Sequence, residues 1–249
     1  MRLTGNTILI TGGASGIGLG LTKRFLEAGN EVIICGRRPD KLMEVKERYP
    51  GVHTKVCDVA NELSRRELYN WVTGTFPAVN VLINNAGIQQ RINLLGTGLE
   101  WSTCHQEIAA NFEAPAHLSM MFIEHFFRQP QASIINVTSG LAFIQPGWVP
   151  IYGATKAALH SFTVSLRLQL SNSNTNVEVI EIIPPVVNTD LGGIGLHTEG
   201  IAVEDFIQAV FNGFEKGDKE IAVGTSINIS RASRDVLDNI TQQAWEHNK

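Results

Sequence analysis

The chain has 249 residues, 43% hydrophobic and 18% charged, with a formal net charge of -4. That size and composition suit one large α/β domain with a real core, and charges of both signs spread along the chain exclude the concentrated basic surface of a nucleic-acid binder. No run reaches the roughly 18–20 apolar residues of a membrane span, and the N-terminus is expected to carry no cleavable leader.

Residues 7–11 read as a buried strand, followed by a helix over 17–28. Strand and helix then alternate at 31–35 and 40–49, and at 52–57 and 63–76. A strand at 79–84 leads into a long helical region from about 99 to 128, bent near Pro115 because proline removes a ladder N–H. A strand at 132–138, a helix at 152–170 and a strand at 177–183 follow. After an irregular stretch come a helix at 203–216 and a strand at 220–223. This alternation predicts an α/β fold of one domain spanning 1–249. Its core is a single Rossmann-type, doubly wound parallel sheet of about seven strands with helices on both faces. The strands are continuous apolar runs, as a sheet covered on both faces requires. The irregular stretch 184–201 holds Gly192, Gly193, Gly195 and Gly200, and long loops inside compact domains are usually functional. It is expected beside the active site as a substrate loop, where Leu191, Ile194, Leu196 and Ile201 hint at an apolar substrate portion. In the tail, 230–246, Ala232, Val236, Ile240 and Ala244 recur every fourth residue. They predict an amphipathic helix packed either on its own domain or against a second subunit.

Cys35, Cys57 and Cys104 have neither metal nor redox spacing. Their odd number points to free thiols in a reducing, cytoplasmic setting. Cys35 and Cys57 are expected as buried, inert thiols on neighbouring strands. The seven histidines show no ligand spacing, so no metal site is expected.

Gly12, Gly16, Ile17 and Gly18 lie where the first strand turns into the first helix. Glycine there allows a tight turn and close approach of a pyrophosphate. The helix start offers free N–H groups and the positive end of its dipole. The spacing G-x-x-x-G-x-G departs from the usual dinucleotide fingerprint, and a ligand-free glycine turn is the alternative. The second strand ends Cys35-Gly36-Arg37-Arg38. Gly36 stands where an NAD site commonly places an acid for the ribose hydroxyl. Guanidinium groups suit a phosphate, to which they can donate two hydrogen bonds at once. The prediction is NADP, with NAD less favoured, Arg37 as main ligand of the 2′-phosphate and Arg38 as helper. The alternative is a solvated pair opening the next helix.

Tyr152 and Lys156 are four residues apart, hence on one helix face. An ordinary phenol has a pKa of about 10. A neighbouring ammonium would lower it and make the tyrosine a general acid or base. Ser139 would hold the substrate oxygen near that phenol.

Together these residues resemble the classical short-chain dehydrogenase/reductase family over nearly the whole chain. The resemblance rests on the 11–18 segment, Asp58, Asn84-Asn85-Ala86-Gly87, Asn111, Ser139, Tyr152 and Lys156. The opening and Cys-Gly-Arg-Arg segments look most like the bacterial oxidoreductase branch named after DltE. The resemblance implies Asn111, Ser139, Tyr152 and Lys156 as the catalytic set, with Asn111 helping to hold a relay water and Lys156 binding the nicotinamide ribose. It implies cofactor contacts from Gly12, Ser15, Gly16, Ile17 and Gly18, and from Asp58 and Val59 flanking adenine. Asn85, Ala86 and Gly87 would pass along the cofactor, and Pro184, Val187 and Thr189 would lie by its carboxamide end. Pro185 replaces the family's glycine, and the tail lacks the glycine-rich segment with which many members build a tetramer. The implied activity is NADP(H)-dependent hydride transfer to or from a small carbonyl or secondary alcohol, in a homodimer or homotetramer. The competing reading is a catalytically silent NADP-binding regulatory or scaffold protein, against which the intact catalytic set argues.

Overall fold

Seven strands pair in parallel in the computed structural model, which describes residues 1–173 and 175–247. They are β1 (Thr7–Thr11), β2 (Glu31–Gly36), β3 (Val52–Val56), β4 (Val79–Asn84), β5 (Ala132–Val137), β6 (Val177–Ile183) and β7 (Glu220–Ala222). Their spatial order is β3-β2-β1-β4-β5-β6-β7. After β3 the chain therefore crosses back over β1 and β2 to begin β4. This reversal opens a crevice at the ends of β1 and β4, where ligands of open α/β sheets bind.

Alternation along each strand divides the core in two. Ile8, Ile10, Val32 and Ile34 face one layer, built from α1 (Gly16–Glu27), α2 (Pro39–Arg48) and α7 (Val203–Lys216). Leu9, Ile33 and Leu82 face the other, built from α3 (Glu62–Thr75), α5 (Ala114–Phe126) and α6 (Pro150–Ser171). Each fully buried aliphatic side chain contributes roughly 1.5–3 kcal/mol relative to exposure. Phe25 of α1 meets Phe211 of α7 with ring centroids 4.8 Å apart and ties the first layer together.

The long helical region has three parts. α4 (Trp101–Ile108) runs into a wide π turn at Ala109–Glu113 and then into α5. The irregular turn falls just before Pro115. That proline lacks the N–H that would bond to the Asn111 carbonyl four residues back, and Ala114 N–H reaches back five residues to the Ala109 carbonyl instead. α6 begins two residues earlier than its apolar pattern predicts because Pro150 suits a first helical turn.

The tail forms a short helix, α8 (Ser226–Ile229), and then α9 (Arg234–His247). α9 touches its own domain at two places. Gln145 N–H donates to Thr241 Oγ1 at 3.4 Å. The Trp245 ring lies so close to Gly147 that a Cβ there would approach it to 2.6 Å. Cys35, Cys57 and Cys104 are free and buried. Among the described residues no helix is long and apolar enough to cross a membrane, and no cluster of three potential metal ligands occurs.

Candidate active site

β1 delivers the chain to the glycine turn, and the end of β4 locks it there. Asn85 N–H and Ala86 N–H both donate to Thr11 Oγ1 at 3.0 Å, and Asn85 Nδ2 donates to the Thr11 carbonyl at 2.9 Å. Gly12 and Gly16 have φ of 68° and 51°, in the left-handed region that favours glycine. A Cβ on Gly18 would sit 2.1 Å from the Gly12 carbonyl oxygen, and one on Gly12 would sit 3.0 Å from Ala86 Cα. The turn therefore presents bare backbone to the crevice. Ser15, at the N-cap of α1, makes no side-chain cap bond, so the first-turn N–H groups have no partner within the helix. Backbone without side chains, at the positive end of a helix, fits a pyrophosphate. The cradle thus suits a dinucleotide.

Other predicted binding residues gather around this cradle. Arg38 Nη2 donates to Ser15 Oγ at 3.2 Å, and Arg37 and Arg38 are both exposed just after β2. Of the pair, Arg38 touches the cradle through Ser15. Asp58 turns inward on its own loop, its Oδ1 accepting the Ala60 N–H at 3.0 Å, and Val59 is buried. Thr189 packs against Gly16, where an added Cβ would stand 3.2 Å from its methyl group. The Pro184 carbonyl accepts the Gly140 N–H at 2.9 Å, and Val187 is buried in a bridge with Ile201.

The residues expected to form the catalytic set come from three further elements. Asn111, wholly buried in the π turn, accepts the Ile88 N–H through Oδ1 at 2.9 Å. Its Nδ2 donates to the Ile88 carbonyl at 2.8 Å and to Thr155 Oγ1 at 3.2 Å. Ser139 follows β5 and caps a short turn, accepting the Leu141 N–H at 3.1 Å. Tyr152 and Lys156 share one face of α6, 5% and 4% exposed. Lys156 Nζ donates to the Val137 carbonyl at 2.8 Å and lies 5.7 Å from the centroid of the Tyr152 ring.

Electrostatics at this site differ from the sequence expectation. Burial pushes the Tyr152 phenol up to about 12; the Ser139 hydrogen bond draws it down and the Glu107 carboxylate adds to the rise. Burial is the larger influence and keeps the phenol above its usual value, while the ammonium is turned to the Val137 carbonyl and the face of the ring. Burial lowers Lys156 to about 8, opposed by Glu107. Burial likewise raises Glu107 to about 7, against the pull of the Gln90 N–H and of Lys156. A phenol in this state is protonated at neutral pH and can donate.

Two groups here escaped the sequence reading. Glu107 lies one helical turn before Asn111, so their spacing alone could have placed them on one face. Glu181 of β6 is wholly buried beside Thr138. It accepts Thr138 Oγ1–H at 2.7 Å and contacts His160 Nδ1 at 2.9 Å. A small cavity at the mouth is lined by Gln89, Arg91, Trp148, Gly192, Leu196 and His197. On the 184–201 loop, Leu196 lines this cavity yet is 54% exposed, and Ile194 is 92% exposed. A wider open depression, of about 400 Å³, is lined by Gln131, Asn176 and Glu178 at the opposite end of the sheet, away from these groups.

Residues 6–195 match the family profile of the short chain dehydrogenases. The chain belongs to that family. This short-chain dehydrogenase is 47% identical over 248 residues to the uncharacterized oxidoreductase DltE of Bacillus subtilis (strain 168), covering 98% of both chains. It stands in the DltE-like branch and is an oxidoreductase. Its fold is similar to that of a short chain dehydrogenase from Burkholderia cenocepacia J2315 in complex with NADP, at a TM-score of 0.83 and 25% identity over 97% of this chain and 99% of that one. It is also similar in fold to a short chain dehydrogenase/reductase from Burkholderia phymatum in complex with NAD, at a TM-score of 0.83 and 19% identity over 98% and 96%.

Proposed function

We propose that this short-chain dehydrogenase is an NADP(H)-dependent carbonyl reductase or alcohol dehydrogenase with Tyr152 as its general acid and base. The observation that carries this reading is the convergence of Ser139, Tyr152, Lys156 and Asn111 beside a glycine cradle at the sheet's switch point. The cofactor, when bound, supplies or accepts the hydride. Ser139 Oγ holds the substrate oxygen, and the protonated Tyr152 hydroxyl gives its proton to that oxygen as the carbonyl is reduced. Lys156 orients the nicotinamide ribose and returns a proton toward the phenol, with Asn111 anchoring the relay. Near neutral pH the phenol is protonated, the state that donates to the oxygen in carbonyl reduction.

NADP is preferred in this reading. No acid stands at Gly36, and Arg37 and Arg38 offer two guanidinium groups beside the cradle. The B. cenocepacia relative binds NADP and the B. phymatum one NAD. Gly12, Ser15, Gly16, Ile17 and Gly18 bind the pyrophosphate, and Asp58 and Val59 bracket the adenine. Asn85, Ala86 and Gly87 follow the cofactor toward Pro184, Val187 and Thr189. The whole chain acts as one domain, with 184–201 closing over a small substrate. Exposed Met120 and Phe127 at α5, and Val164 and Leu168 on α6, support a homodimer or homotetramer. Three buried free thiols support a cytoplasmic setting.

A panel of carbonyls and alcohols assayed with both cofactors tests the reading. NADPH consumption with at least one carbonyl is expected, lost on Tyr152→Phe. Tight NADPH binding with no turnover across the panel would favour the silent binder, and undiminished turnover in Tyr152→Phe would refute the role of the phenol.

A further inference from the structure

The last turn of α4 carries a carboxyl group sealed from solvent. Glu107 is 0% exposed. Its Oε1 accepts the Gln90 N–H at 3.1 Å, and its Oε2 is buried without a hydrogen-bond partner. Such a group is costly unless an opposite charge stands nearby. Glu107 and Asn111 grip the same short segment, at Gln90 and at Ile88. Asn111 Nδ2 in turn reaches Thr155 Oγ1, the residue before Lys156. A Cβ placed on Gly87 would lie 3.2 Å from Asn111 Oδ1 and 3.8 Å from Lys156 Nζ, so both border one small space. An ammonium has three donors, and one of those on Lys156 goes to the Val137 carbonyl.

We propose that Glu107 is the internal counter-charge of Lys156, a positioning residue that keeps Lys156 an ammonium and so sets the alkaline limit of turnover. This rests on the roles given to Tyr152 and Lys156 above. The groups around it are few. α6 brings Lys156 and Tyr152, and the segment after β4 brings the Gln90 N–H. β5 brings the Val137 carbonyl to Lys156, and Ser139 brings its hydroxyl to Tyr152. On α4 itself, Cys104 is buried one turn back, and His105 is exposed, 3.6 Å from Glu113. Electrostatic directions agree with the pairing: Glu107 holds Lys156 up, and Lys156 holds Glu107 down. The carboxylate is fully ionised only above neutral pH, the range in which Lys156 would otherwise lose its proton.

Glu107→Gln keeps the shape and removes the charge, and Glu107→Met serves as a second uncharged variant. Two readouts apply: carbon NMR titration of lysine labelled at Cε, with Lys156 assigned through Lys156→Arg, and the pH profile of carbonyl reduction. The Lys156 midpoint is expected to fall by about one unit or more, so that turnover at about pH 8.5 drops about sixfold or more further below its value at about pH 6.5 than in the wild type. An unshifted midpoint, an unchanged profile, or loss of the fold in both variants overturns the proposal. If the wild type reduces no carbonyl, the functional reading fails, while the NMR midpoint still decides the pairing.

Discussion

Replacing Glu181 with Leu probes the buried charge cluster beside Thr138. Glu181 is 0% exposed and bonds to Thr138 and His160, with Arg167 Nη2 at 3.9 Å. Removing one partner of a buried ion pair typically costs about 3–5 kcal/mol. Two features reduce that figure here. His160 and Arg167 retain 27% and 21% side-chain exposure, and Arg167 keeps its contacts with Glu220 at 2.7 Å and the Val179 carbonyl at 3.1 Å. A loss of about 2–3 kcal/mol remains, which lowers the Tm of a chain this long by about 5–10 °C. The loss depends on pH. Glu181 raises the His160 pKa above its usual value. Stability from this contact is therefore full below the unfolded histidine pKa of about 6.5 and fades as pH rises through the higher folded value. Thermal melts of wild type and variant at about pH 6 and about pH 9 measure it, and the gap should be wider at the lower pH. A Tm difference under about 2 °C at the lower pH, or one independent of pH, refutes the reasoning.

Gly18→Ala drives a Cβ against the Gly12 carbonyl. It should cost about 1–3 kcal/mol of stability and weaken NADPH binding at least roughly tenfold, read by melts and titration calorimetry. Arg38→Ala should weaken NADPH binding by about 1.5–3 kcal/mol and leave NADH binding unchanged, and Arg37→Ala should act in the same direction; equal losses for both cofactors would remove the 2′-phosphate role. Alcohol oxidation needs the phenolate, so its rate should climb with pH until Lys156 deprotonates near 8, whereas carbonyl reduction should stay level up to that point and then decline. Rate profiles in both directions test this, and parallel profiles would contradict it.

Much of this architecture is legible in the chain. Ile8–Ile10, Val32–Ile34 and Val81–Ile83 are unbroken apolar runs because each strand is covered on both faces. Tyr152 and Lys156 declare a shared helix face by spacing alone. The sign of the phenol's shift is not legible: spacing reveals a nearby cation, but the depth of burial that outweighs it comes from residues scattered along the chain. Glu107 is hidden for the same reason, since one acid on a helix reads as a solvated residue until the 88–90 segment folds over it. The seat of α9 depends on Trp245 meeting Gly147, a contact between residues nearly a hundred positions apart.

The wide turn between α4 and α5 has a consequence for both ends of that helix. In an unbroken helix, residues 107, 111, 114, 118 and 122 would form one straight stripe and could serve only one neighbour. One extra residue in the coil swings the C-terminal half by about 100°. Glu107 and Asn111 can therefore look toward Gln90 and Ile88 while Leu118 and Phe122 look into the sheet. A single helical rod is thereby divided into a polar half that holds the 88–90 segment and a greasy half that packs against the sheet.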